Sequence, residues 1–519
     1  MSKKEKFYIT TSIVYVNAAP HLGYALELVQ ADVIARYNRL FGKEVYFLTG
    51  TDEHGAKITK AAKEAGKNTE DFVNENSAKS KILVEKLNIS NDDFIRTSDR
   101  VRHFPAVQEI WKRLAKNGDI YKKPYKGLYC LGHEAFVTEK DFDENGRCLI
   151  HETRPELIEE ENYFFRLSRY QEQLKNLIEK NELKIIPETR KNEVLSFIGE
   201  ELEDLSVSRP AKDIGWGVPV PGDSAQTIYV WFDALCNYIS ALGFAGEDSS
   251  KFNKFWPADL HIIGKDILRF HAIIWPAMLI SAGLPLPKEI FIHGFITVGG
   301  KKMSKTIGNI ADPILLIEKY GEDALRTYLI KEIPVFDDGD YTEEKLKNFY
   351  NGNLAKGLGN LVSRVSAMSG QYFNGIIPKP SDDALSAVPL KKHLFLNEDS
   401  RQNIESTTLN QFINDKIIPE YQKAFSRYQL NEALNVGFKL AKTLDGYIQE
   451  YEPFKLVKQD KEKTRAILWN LCFASGELAR LLEPFMPKTS EKILNIFSFN
   501  EKSQEFRVVS HDALFPTKE

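Results

Sequence analysis

No stretch of this chain stays apolar over a bilayer's thickness, so a membrane-spanning helix is not expected. Nor do the first residues leave room for an export or transit segment, because Met1 to Lys6 is charged and runs straight into a strand-like segment. Cysteine is scarce, four in 519 residues, which excludes a disulfide framework. Net charge is small as well. At −4 it does not draw in a polyanion, and any nucleic-acid partner has to be met by local basic patches. These lacks point to the cytoplasm. What is present is an ordinary globular composition, 43% hydrophobic and 27% charged, in a chain too long for a single core.

The most informative stretch is Lys301-Lys302-Met303-Ser304-Lys305-Thr306-Ile307-Gly308-Asn309. It follows the apolar run Phe291 to Thr297 and Gly299-Gly300, and precedes Asp312-Pro313, a capping residue with proline at the first helical position. The pattern predicts strand, flexible cationic loop, helix. Such a loop suits a polyphosphate, although a lysine-rich loop of this kind is equally a solvated, charged hairpin.

At the N-terminus, Phe7 to Val16 is rich in aromatic and β-branched residues and predicts a buried strand ending at Asn17-Ala18-Ala19-Pro20. From His21 the period changes. Leu22, Leu26, Val29, Val33, Tyr37 and Leu40 fall on one helical face, with Glu27, Gln30, Asp32 and Arg36 off it, Pro20 in the first turn and Gly42 at the stop. A second strand, Glu44 to Leu48, completes a βαβ unit. His21 and Gly23 thereby stand at a helix N-terminus, where unpaired N–H groups and the helix dipole favour an anion. A lone histidine there is also an ordinary cap.

A strand followed by His-x-Gly, with Lys302-Met303-Ser304-Lys305 nearly three hundred residues later, resembles the class I aminoacyl-tRNA synthetases. Several further stretches resemble the methionyl-tRNA synthetase family in particular: Phe47 to Gly55, Tyr229-Val230-Trp231-Phe232-Asp233-Ala234, His261 to Ile267, Phe270-His271, Trp275 to Met278 and Phe291-Ile292-His293-Gly294. The resemblance implies an α/β fold, with a Rossmann-type parallel-sheet catalytic domain, an inserted zinc-knuckle domain and a C-terminal α-helical bundle. It implies methionine activation by ATP and transfer of the methionyl group to the terminal adenosine of tRNA(Met), with Mg²⁺ on the phosphates. His21, Lys302 and Lys305 would stabilise the transition state. Asn17, Gly23, Tyr24, Glu27, Gly264, Lys265, Asp266 and Ser304 would join them around ATP. Asp52 would pair with the methionine ammonium, and Ile13, Tyr15, Trp231, Ala234, Tyr238, Ile267 and His271 would line the thioether pocket. The family usually ends its first signature with histidine where this chain has Tyr24, which is expected to keep a hydrogen bond to ATP through its hydroxyl.

The expected domains are residues 1–115 and 226–300 for the two catalytic halves, 116–225 for the insertion, 301–350 for the lysine loop and stem contact, and 351–519 for the anticodon-binding bundle. Within the insertion, Cys130, His133, Cys148 and His151 form two equally spaced pairs around Asn145-Gly146, the spacing of a structural zinc knuckle or of one that has lost its metal. Cys236 and Cys472 read as buried packing residues. From Asn351 onward the signal is helical, interrupted by the proline-rich stretch Ile377 to Pro389. Leu434, Phe438, Ala441, Leu444 and Ile448 make one core-facing stripe, and Ile467, Leu471, Leu478 and Leu482 another. Asn360 and Arg364, one helical turn apart, match the family's anticodon-reading pair, and Phe454 stands where tryptophan is common. No appended dimerisation domain is visible, and a monomer is expected. The alternatives are a sister class I synthetase, disfavoured by the lack of room for an editing insertion, and a non-catalytic tRNA-binding paralogue.

Overall fold

The computed structural model describes residues 4–130, 135–137, 142–149, 153–302, 311–394 and 406–518. The chain divides into two compact units, Met1–Phe295 and Ile296–Glu519.

The first unit is built on a parallel sheet. Its strands are β1 (Lys6–Thr11), β2 (Val14–Tyr15), β3 (Glu44–Asp52), β4 (Asp93–Arg96), β5 (Lys184–Ile186), β6 (Leu260–Gly264) and β7 (Glu289–His293), and every pairing among them is parallel. The order across the sheet is β4, β3, β1, β6, β7, β5, with β2 lying along the far end of β3. Tyr8 to Thr11, Val45 to Leu48 and Leu260 to Ile263 are buried on both faces, which is why these strands read as continuous apolar or β-branched runs. The expected single strand Phe7 to Val16 is broken into β1 and β2 at Ser12-Ile13. Strand β5 comes from within residues 116–225, so that stretch also contributes to the catalytic sheet.

Helix α1 (Leu22–Leu40) follows β2 and packs on β1 and β3. Its amphipathic reading holds only in part. Glu27, Gln30 and Asp32, expected off the core face, are buried, while Leu40 is exposed. Asp32 is accommodated by Arg36 at 2.7 Å and by the Ser90 N–H and hydroxyl at 2.7 and 2.6 Å.

The chain leaves β1 for β3 and β4 on one side and returns to β6 and β7 on the other. The adjacent carboxyl ends of β1 and β6 are therefore the switch point of the sheet, where a crevice opens for a ligand. The rest of the unit carries an antiparallel sheet in which Ile120–Cys130 pairs along its length with Glu156–Phe165. Asp119, fully buried at its base, accepts hydrogen bonds from the Tyr170 hydroxyl at 2.5 Å and Ser281 Oγ at 2.7 Å, fastening this sheet to helix Trp275–Ala282.

In the second unit, Ile296–Val298 pairs antiparallel with Lys301–Lys302 and parallel with Gly339–Tyr341. The apolar run Phe291 to Thr297 thus spans two strands in separate sheets. The expected helix after the lysine loop is Pro313–Tyr320, capped by Asp312 Oδ1 accepting from the Ile314 N–H at 2.8 Å. Helices Leu430–Tyr451 and Lys461–Leu482 bury Leu434, Ala441, Leu444 and Ile448 and all four residues of the second stripe. The helical reading misses two small sheets, in one of which Leu390–Lys391 pairs antiparallel with Ser406–Thr407. Ile376–Pro378, Glu505–Val508 and Phe497–Asn500 form a small antiparallel sheet, with the proline-containing strand at its edge, where a missing N–H is tolerated. Among the described residues, no helix is long and apolar enough to cross a membrane.

Candidate active site

His21 is the N-cap of α1. Its backbone is extended, and its Nδ1 accepts the Gly23 N–H at 3.1 Å. In the neutral ring that bond places the remaining proton on Nε2, leaving a donor beside the open end of the helix. Burial lowers the His21 pKa, and the Asp266 carboxylate works against that shift. Pro20, expected in the first turn, stands just before the cap. Asn17 is exposed. Tyr24 is turned inward: it is buried, and its hydroxyl lies 3.3 Å from Thr49 Oγ1, which also receives Thr11 Oγ1 at 2.7 Å. In the first turn of α1 the hydroxyl is thus directed at Thr49 near the end of β3.

Across the switch point, Gly264 ends β6 and Lys265–Ile267 makes a tight turn. A Cβ on Gly264 would meet Asp266 Oδ1 at 2.8 Å, so glycine here lets the carboxylate fold back over the strand end. Glu27, buried one turn into α1, accepts from Ser12 Oγ at 2.6 Å through Oε1 and meets His293 Nε2 at 2.9 Å through Oε2. The other nitrogen, His293 Nδ1, lies 2.7 Å from the Gly294 carbonyl. Both ring nitrogens face acceptors, so His293 is suited to carrying both protons. Burial opposes that charge, but the Glu27 carboxylate outweighs it and raises the His293 pKa. His293 was not among the expected site residues, and its partner is 266 residues away in sequence.

Most of the residues expected around the amino acid pack together in the core of the first unit. Ile13, Tyr15, Trp231 and Ile267 are partly buried against the core that contains Tyr238. Ala234 is buried in helix Val230–Ala234. The Trp231 ring stacks on Phe270, centroids 3.9 Å apart at 12°, which adds Phe270 to the wall. Below them the Tyr238 hydroxyl donates to His271 Nε2 at 2.7 Å, while His271 Nδ1–H donates to the Ile267 carbonyl at 3.0 Å. Both nitrogens of a neutral ring are thereby satisfied. Burial pushes the His271 pKa down to about 4, so the imidazole stays uncharged near neutrality. Asp52, buried at the end of β3, is approached by Thr97 Oγ1 at 3.4 Å. These side chains together offer one carboxylate, apolar and aromatic surface, and an uncharged hydroxyl–imidazole pair.

Two expected groups fall partly outside the described residues. Lys302 is placed by its backbone pairing with Thr297, whereas Ser304 and Lys305 lie outside. Cys130 and Cys148 are buried, and both meet Thr153: Cys130 Sγ lies 3.9 Å from its Oγ1, and the Cys148 N–H donates to its carbonyl at 2.8 Å. His133 and His151 lie outside, and no metal-binding group of three such residues occurs among the described ones. Cys236 and Cys472 are buried as expected, and burial pushes the Cys472 thiol up to about 12. In the second unit, Asn360 is exposed at the start of helix Asn360–Phe373, Arg364 is half-buried one turn on and ion-paired with Asp445, and Phe454 is exposed.

Comparisons with known proteins agree with this geometry along nearly the whole chain. The family described as tRNA synthetases class I (M) matches residues 7–144 and 142–366, and the anticodon-binding domain of tRNA ligases matches 414–519. The methionine–tRNA ligase of Thermotoga maritima is 42% identical over 98% of this chain and 78% of its own length. That of Brucella suis is 40% identical over 97% and 94%. A solved structure of Mycobacterium tuberculosis methionyl-tRNA synthetase in complex with methionyl-adenylate superposes with a TM-score of 0.89 at 37% identity, covering 99% of this chain and 100% of that one. The chain accordingly belongs to the methionyl-tRNA synthetases of class I.

Proposed function

We infer that this chain activates L-methionine with ATP to methionyl-adenylate and pyrophosphate, and then transfers the methionyl group to the 3′-terminal adenosine of tRNA(Met). The observation that carries this reading is the crevice between β1 and β6, where a histidine-capped helix end faces a glycine-opened turn beside an uncharged hydroxyl–imidazole pair and a carboxylate. The α-phosphate gains negative charge as the methionine carboxylate attacks. His21 Nε2–H, beside the positive end of the helix dipole, is a fixed donor for it, and one such donor is worth about 2.7–4 kcal/mol in a transition state. Lys302 and Lys305 add cationic groups, with Ser304 between them in sequence. Gly23 admits a phosphate to the helix end, and Asn17, Glu27, Gly264, Lys265 and Asp266 hold the adenosine. Tyr24 acts from beneath, packing α1 on Thr49. Mg²⁺, when bound with ATP, neutralises the phosphates.

In the pocket, Asp52 pairs with the methionine ammonium, and Ile13, Tyr15, Trp231, Ala234 and Ile267 enclose the thioether above Tyr238 and His271. Asn360, Arg364 and Phe454 read the anticodon by hydrogen bonding and stacking. Cys130, Cys148, His133 and His151 hold one structural Zn²⁺. The burial of both cysteines beside Thr153 and their thiol–imidazole donor set suit a closed tetrahedral site. The chain acts as a monomer in the cytoplasm on this reading.

The reading is tested by exchange of labelled pyrophosphate into ATP, run separately with each of the twenty amino acids without tRNA. Exchange with methionine alone is expected. Exchange with another amino acid would identify a sister synthetase, and none with any would leave a tRNA-binding paralogue. Metal analysis of the purified protein is expected to give one zinc per chain, lost on Cys148→Ser.

A further inference from the structure

Asp233 sits in helix Val230–Ala234 between two pocket residues, Trp231 and Ala234, and is fully buried. Each of its carboxylate oxygens is taken by a buried imidazole. Oδ2 lies 2.6 Å from His54 Nδ1, and Oδ1 lies 2.7 Å from His103 Nε2. Since a carboxylate only accepts, both of those nitrogens must carry protons. His54 follows Asp52 by two residues, at the end of β3. His103 opens helix His103–Lys116, and its Nδ1 lies 2.9 Å from Ser240 Oγ, in the turn Asn237–Ser240 that carries Tyr238.

One buried carboxylate thus joins three segments that are 179 and 130 residues apart in sequence. Two of these segments bear residues assigned to the amino acid, Asp52 on one and Trp231 with Ala234 on another, and the third, opened by His103, reaches the turn that carries Tyr238 through Ser240. Burial alone would push the Asp233 pKa up, and the two histidines more than offset it, so the group remains ionised. None of these three residues has a role in the chemistry described above. We propose that His54, Asp233 and His103 form a positioning clamp that sets the distance between the ammonium-binding carboxylate and the side-chain pocket, so that methionine affinity depends on groups that never touch methionine.

This inference rests on the reading of Asp52, Trp231, Ala234 and Tyr238 as the methionine site. The test measures KM for methionine and for ATP separately in pyrophosphate exchange. His103→Leu removes one donor to Asp233, and is expected to raise the methionine KM roughly 10-fold or more, as misplacement of a binding group does, with the ATP KM within about 2-fold of wild type. His103→Gln keeps an N–H where Nε2 stands and should restore the methionine KM. Asp233→Asn turns an acceptor into a donor against one histidine and should act like His103→Leu. Should either fail to fold, Ser240→Ala makes the same comparison at the outer end of the clamp. Equal rises in both KM values, an unchanged methionine KM, or no difference between the Leu and Gln variants would overturn the clamp. A wild-type protein that exchanges pyrophosphate with no methionine dependence would instead overturn the reading of the pocket.

Discussion

His21 does two things with one ring, and they can be separated. Nδ1 caps α1 and Nε2 faces the crevice. Asparagine caps a helix well but has no group at the Nε2 position, so His21→Asn should keep the fold and slow adenylate formation by roughly 10²–10³-fold, read by pyrophosphate exchange. His21→Ala should lose as much rate and also about 1 kcal/mol of stability in thermal denaturation. The buried histidines of the pocket give a second expectation. Burial holds His271 at about 4 and His261 well below its ordinary value, so the unfolded chain takes up protons before the folded one. Stability therefore falls as pH drops below about 6.5, and His271 alone costs about 2 kcal/mol by pH 5. His293 has the opposite sign. Its raised pKa gives a contribution fully present below the unfolded value and lost as pH rises through the folded one, so between pH 7 and 5 it offsets part of the loss from His271 and His261. The melting temperature of His271→Gln should fall less than that of wild type between pH 7 and 5. His21 could be read from the sequence because a histidine before a periodic run announces a cap. His293 could not, since nothing near residue 293 indicates that Glu27 will lie against it.

At the scale of elements, the βαβ start was legible because burial imposes its own pattern, period 2 or continuous in strands and 3.6 in α1. Where several layers cover an element the pattern weakens. Polar Asp32 is buried because Arg36 and Ser90 satisfy it, a long-range condition that periodicity cannot register. The direction of Tyr24 is hidden for a related reason. Its place in a motif suggested outward contact, but the rotation of α1 directs it at Thr49. The end of β6 is more local and supports a sharper expectation. A methyl group at 264 would collide with Asp266 Oδ1, so Gly264→Ala must displace the carboxylate or the turn. The carboxylate ends an exposed side chain and can swing aside, so the cost to stability is small. Because the displaced group is assigned to adenosine, the effect should appear as an ATP KM raised roughly 10-fold, with the methionine KM little changed, in exchange assays varying each substrate in turn.

At the scale of the molecule, each unit has its own core, and the two chemical demands, activation and tRNA recognition, fall on different side chains. The helical part was legible from its stripes, and the small sheet containing Ile376–Pro378 was not, since three residues beside proline carry little strand signal. Arg364 tests the division of labour. It is half-exposed and paired with Asp445, both groups about a third accessible, so the pair contributes at most about 1 kcal/mol to stability. Its assigned contacts to an unstacked anticodon base would be worth about 1–3 kcal/mol by analogy with base-edge pairs. Arg364→Gln should then leave the melting temperature nearly unchanged and methionine-dependent pyrophosphate exchange at the wild-type rate, since exchange needs no tRNA. Aminoacylation kcat/KM for tRNA(Met) should fall by roughly 5- to 150-fold, the factor corresponding to that energy. Asp445→Asn, which frees the guanidinium without removing it, should lower charging less. If exchange instead fell in step with charging, Arg364 would be supporting the catalytic step and not reading the anticodon, and the assignment of the helical part would have to change with it.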